Sequence, residues 1–176
     1  MKNTDTHTQQ ELQGWFAGRL PDDWFSGPPS VEFDREEIVV TGSLGEPDLP
    51  ADATAEAKAE ARLARIHRFR EETRDQRIRI AREAERKFGR KVSWGADCAD
   101  ASRLFTTLSI PHMTRLRMRE RAVLDTLVDA GVARSRSDAL AWCVRLVGDN
   151  ESEWIGKLRA AFEQVEKVRG EGPNPE

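Results

Sequence analysis

The residues best placed to do chemistry are Ser135-Arg136-Ser137-Asp138. A serine followed three positions later by an acid is a capping box. The Ser135 hydroxyl can accept from the Asp138 amide, while the Asp138 carboxylate reaches back to the Ser135 amide. A helix opened this way leaves amides at Ser137 and Asp138 beside the positive end of its dipole, a setting that suits a phosphate, although Asp138 fills part of it with its own charge. Upstream, Arg115, Arg117 and Arg119 recur at every second position and add cations. This chemistry is anion recognition rather than bond making. The three histidines, His7, His67 and His112, have no cysteine or carboxylate spacing that would hold a metal. Cys98 and Cys143 match no metal or redox spacing, and Cys143 reads as a small buried residue in an apolar helix. Phosphate-loop, dinucleotide and nucleophile-elbow motifs are absent, as is tyrosine. The expectation is a protein with no enzyme active site, no metal and no cofactor.

The charge distribution narrows the partners. The net charge of -3 hides a balance of -9 over residues 1–60, +9 over 61–121 and -3 over 122–176. A basic middle can meet a polyanion, or the acidic first third of its own or a sister chain. Hydrophobic residues make up 38% and charged residues 34%, so a core spanning the whole chain is not expected. No apolar run is long enough to cross a membrane, and the polar opening MKNTDTHTQQELQ is unlike a signal peptide. A cytoplasmic location is expected.

The elements that must position these residues follow from pattern. Residues 1–13 and 171–176 read as disordered. Residues 14–50 hold an aromatic segment, Trp15, Phe16, Trp24 and Phe25, and then a β-hairpin in which Val31 and Phe33 alternate with acids before Ile38-Val39-Val40. The aromatics are better read as core anchors than as a partner-binding patch. Residues 52–89 predict one long charged helix with a narrow apolar face through Ala59, Leu63, Ile66, Thr73, Ile80 and Ala84, stopped by Gly89. In residues 90–147, Leu104–Ile110 is β-rich. Leu124, Leu127 and Val128 mark a helix ended by Gly131, and Leu140, Trp142, Cys143 and Leu146 mark a second helix ended by Gly148. Residues 149–170 predict an amphipathic helix through Trp154, Leu158, Phe162 and Val165.

The stretch LDTLVDAGVARSRSDALAWCVRLV, residues 124–147, resembles the ribbon-helix-helix family of DNA-binding repressors and antitoxins. The likeness is densest in the glycine turn and the Ser-Arg-Ser-acid-Ala string. The resemblance implies that two chains exchange a strand to form an antiparallel ribbon that enters the major groove. Ser135, Arg136 and Ser137, with Arg115, Arg117 and Arg119, would contact phosphates. Two ribbon registers stay open: Leu104–Ile110 presents Thr106, Thr107 and Ser109 to the bases, whereas His112–Leu116 presents Thr114 and Arg115. Leu124, Leu127, Val128, Leu140, Trp142, Cys143 and Leu146 would form the dimer core.

The fold class expected is therefore mainly α with a small β component: a ribbon-helix-helix-like module, a long charged helix, an N-terminal hairpin and a C-terminal amphipathic helix. Two functions follow. One is a homodimeric regulator that binds duplex DNA. The other is a non-catalytic interaction protein that uses the module only to dimerise and docks a protein partner through Trp15–Phe25 or the 53–88 helix.

Overall fold

The computed structural model describes residues 4–150 and 152–170. The expected 171–176 tail and the first three residues of the 1–13 segment lie outside the described residues. The chain divides into two compact units, residues 4–110 and the segment from Pro111 onward.

The first unit is built on a sheet. Helix α1 (Thr4–Arg19) precedes strands β1 (Ser30–Phe33) and β2 (Glu37–Ser43). These pair antiparallel, with Val31 opposite Val40 and Phe33 opposite Ile38. Their turn is held by Asp34 Oδ1, which accepts from the Glu36 and Glu37 amides at 2.9 and 2.7 Å. Helices α2 (Ala55–Glu72) and α3 (Arg74–Phe88) then cross over, so that β3 (Lys91–Cys98) lies parallel to β2. Strand β4 (Ala101–Leu104) turns back against β3 and forms the edge of a sheet ordered β1-β2-β3-β4. The mainly α expectation is corrected here, because a four-stranded mixed sheet with a parallel β2–β3 pair organises this unit. Part of the segment assigned to the module, residues 91–104, is sheet, and its strands complete the unit that the hairpin begins.

Burial explains why. In β2, Ile38 and Val40 alternate inward, and in β3 Trp94, Ala96 and Cys98 do the same, the period of 2 that a pleated strand imposes. The helices close this face with Ile66 and Phe69 from α2, Ile80 and Ala84 from α3, and Leu12 and Phe16 from α1. Residues 4–13, expected to be disordered, are helical because Leu12 and Phe16, one turn apart, are completely buried. That burial outweighs the weak helix propensity of Gly14 and Gly18. Arg19 adds a forked ion pair to Glu83 on α3. Trp24 meets Phe69 and Trp94 edge to face, so the aromatic segment is core. Trp15 and Phe25 are half-buried against the same cluster.

The single helix expected over 52–89 is two helices that meet at Thr73. Thr73 Oγ1 donates to the Phe69 carbonyl at 2.6 Å, a back-bond that bends helices. Arg77 then donates Nε to Thr73 Oγ1 and Nη2 to the Arg70 carbonyl. Thr54 caps α2, with its Oγ1 accepting from the Ala57 amide, and Gly89 in the left-handed region ends α3.

The second unit contains α4 (Met118–Asp129), α5 (Arg136–Asn150) and α6 (Ser152–Gly170). The α4–α5 corner is made by Gly131 at φ 72°, whose amide donates to Val128 O, while the Val132 and Ala133 amides donate to Leu127 O. Helix α5 runs past Gly148, which was expected to end it. A glycine in a helix interior costs only about 1 kcal/mol, which by itself does not stop a helix.

Candidate nucleic-acid interface

The corner between α4 and α5 sets the geometry of the candidate site. Ser135 Oγ accepts from the Asp138 amide at 3.2 Å, as a capping serine should. The return half of the box differs from expectation: Asp138 Oδ2 takes the amide of Arg134 at 3.0 Å rather than that of Ser135. This bond holds the Asp138 carboxyl below its ordinary value, with Arg134 and Arg145 adding charge in the same direction. The start of α5 therefore carries a fixed anion of its own. Arg136, expected on a phosphate, instead forks onto Asp125 of α4 at 2.6 and 2.8 Å. Its guanidinium is raised above its ordinary value by that bond and the Asp125 carboxyl is lowered. Arg136 is thus a tie between two helices.

The remaining cations precede α4. Arg115, Arg117 and Arg119 are exposed, and the backbone of Arg117 is extended where the helix begins, its amide donating to the Glu120 carboxylate. Arg121 reaches back to the Leu116 carbonyl at 2.8 Å and braces the entry to the helix. Thr114 is exposed in the same stretch, residues 111–117, which has no strand partner within the chain among the described residues. Thr106, Thr107 and Ser109 are exposed too, but they belong to the sheet unit. Just before them Leu104 pairs with Gly95, and the Phe105 amide donates to Trp94 O. The Leu108 amide is taken by Glu37, which also accepts from the Ser93 hydroxyl. The two candidate ribbons thus fall in different units, and only Thr114 and Arg115 share one with α4 and α5.

The apolar residues of this unit are mostly uncovered. Leu124, Ala133 and Ala139 are buried, with Leu127, Val128, Leu140 and Cys143 half-buried around them. Trp142 is half-buried and Leu146 exposed. Met113, Met118, Val123, Val132, Val144, Val147 and the α6 stripe of Trp154, Leu158, Phe162 and Val165 all face solvent. Sequence reasoning missed the exposed Met113 and Met118, although their place beside the basic stretch was a signal. Among the described residues no group of histidine, cysteine and acids could hold a metal, and no helix is long and apolar enough to cross a membrane.

Fold and site together define a two-unit protein, a helix-covered mixed sheet followed by a helical unit with an open apolar face. Family comparisons divide the chain at the same place. Residues 10–104 match the Rv1265-like protein N-terminal domain, and residues 117–169 match the Mb1296 C-terminal domain. The chain is 55% identical over 160 residues to Mb1296 of Mycobacterium bovis and to Rv1265 of Mycobacterium tuberculosis, covering 91% of this chain and 69% of each relative. It belongs to this Rv1265-like family. Neither match is described as a ribbon-helix-helix domain, and no solved structure matches the chain.

Proposed function

We propose that the chain is a cytoplasmic, dimeric regulator that binds duplex DNA through its helical unit. The observation that carries this reading is the pairing of an unpartnered basic stretch with an unburied apolar face. A unit whose described residues bury only Leu124, Ala133 and Ala139 is too poorly cored to stand alone, and a second copy supplies the missing cover. In the dimer, residues 112–116 of two chains pair as a ribbon. Thr114 faces the groove, Arg115, Arg117 and Arg119 lie along the backbone, and the amides opening α5 receive a phosphate beside Ser135 and Ser137. The register 112–116 is supported over 104–110 because the latter is engaged by the sheet unit.

The experiment is retardation of labelled genomic fragments by the full chain at two salt concentrations. Binding weakens with salt, each neutralised phosphate contributing about -0.9 to the logarithmic slope. Arg115→Gln and Arg117→Gln each shrink that slope by about one phosphate, whereas Thr106→Ala leaves affinity unchanged. A folded dimer that retards no fragment at low salt removes the proposal. A second reading, a non-catalytic interaction protein, is favoured by the Arg136–Asp125 tie and by the exposed α6 stripe. It predicts the same dimer with no salt-dependent retardation.

A further inference from the structure

A cavity of about 440 Å³ lies between α2 and β4, wholly within the sheet unit. That volume falls in the range of small-molecule sites, roughly 300–1,000 Å³. Its apolar walls are Leu63 and Ile66 from α2 and Leu104 and Phe105 from the β4 side. Charge is distributed unevenly along it. Arg70 and Arg103 stand on the lining, and among the described residues neither has a carboxylate within ion-pair distance; Arg103 donates only to the Ser102 carbonyl. His67, also on the lining, turns to Glu71 at 3.6 Å. The one acid on the lining, Glu60, sits ten residues before Arg70, about 15 Å away along the helix axis. On the α2 side the lining therefore runs from an acid at Glu60 to a cation at Arg70.

Behind Phe105 lies a second, independent feature. Arg77 is 6% exposed, and its guanidinium stacks on the Phe105 ring at 4.7 Å from the centroid. Its hydrogen bonds go to two neutral oxygens, Thr73 Oγ1 and the Arg70 carbonyl. Burial, with Arg70 and Arg74 nearby, pushes it down to about 10. A buried cation beside other cations, with no acid to offset it, is costly unless an anion comes from outside. Phe105 forms one wall of the cavity and carries Arg77 on its ring, so an anion seated near Arg70 would relieve both.

We propose that this cavity binds a small organic anion, a carboxylate borne on an apolar body, with the carboxylate at the Arg70–Arg103 end and the body against Leu63, Ile66, Leu104 and Phe105. The site is independent of the DNA reading, since none of its residues belongs to the helical unit.

The test uses the full-length chain with methyl labels, titrated with naphthalene-1-carboxylate and, separately, with its uncharged counterpart naphthalene-1-methanol. Saturable shifts at the methyls of Leu63, Ile66 and Leu104 are expected, with the carboxylate bound at least tenfold more tightly than the alcohol. Arg70→Gln and Arg103→Gln, both at exposed positions, each reduce carboxylate affinity about tenfold and leave alcohol binding unchanged. Arg77→Met keeps the cavity and lowers the preference for the carboxylate. Equal affinity for the two probes overturns the anion assignment. Absence of saturable shifts at these methyls, or shifts confined to the exposed apolar residues after Pro111, overturns the site.

Discussion

At Gly42 a single hydrogen decides whether the sheet can close. A Cβ there would lie 2.3 Å from the Phe25 ring, a distance no real contact tolerates. Gly42→Ala is expected to cost roughly 1–3 kcal/mol, the usual range for overpacking a filled core. Urea unfolding checks this, and Phe25→Leu in the same chain should recover part of the loss, because it removes the atoms that collide. Thr73 carries a second such dependence. Its hydroxyl both donates to the Phe69 carbonyl and accepts from Arg77, so Thr73→Val keeps the shape and strands a buried guanidinium donor. The expected loss is about 1–3 kcal/mol, the penalty for a buried group left without its partner. Thr73→Ser, which keeps the oxygen, should lose much less. A loss as large in the serine variant would mean that the methyl rather than the hydroxyl matters.

Between α4 and α5 the Arg136–Asp125 fork and the Asp138–Arg134 bond act as one corner brace with a defined pH dependence. Both carboxyls sit below their ordinary value of 3.8 in the folded chain. A depressed carboxyl contributes stability that is fully present above 3.8 and is lost as pH falls through the still lower folded value. The gap in unfolding midpoint between the natural chain and Asp125→Asn should therefore be widest near neutral pH and close below about pH 4. A gap independent of pH would show that the brace is steric. Legibility from sequence followed the same divide between local and distant causes. The β1–β2 hairpin, the glycine corner, the Ser135 cap and the stop at Gly89 were legible because each rests on residues a few positions apart. The mixed sheet was not, since β2 and β3 pair across the whole α2–α3 crossover. The break at Thr73 was hidden because a threonine back-bond looks like any polar residue on a helix stripe. The Arg136–Asp125 pair was not legible because the two residues lie eleven positions apart on different helices.

The whole molecule joins two units whose stabilities have different origins. In the sheet unit, Leu12, Phe16, Ile38, Val40, Ile80 and Trp94 are buried in one continuous cluster, so its folding is a property of a single chain. In the helical unit the buried set is Leu124, Ala133 and Ala139, while Val144, Val147, Trp154, Leu158 and Phe162 remain exposed. If a second copy covers that face, unfolding of the helical unit is coupled to dissociation, and mass action makes its midpoint depend on concentration. A hundredfold rise in chain concentration should then stabilise that transition by about 2.7 kcal/mol per dimer, while the sheet unit stays put. Trp142 and Trp154 report on the first and Trp24 and Trp94 on the second, so tryptophan-to-phenylalanine variants separate the two signals. Leu158→Glu, on the exposed stripe of α6, should abolish the concentration dependence and leave the sheet transition unchanged. Two concentration-independent transitions in the natural chain would mean that the helical unit folds without a twin. The ribbon of paired 112–116 segments, and the DNA reading built on it, would then be lost.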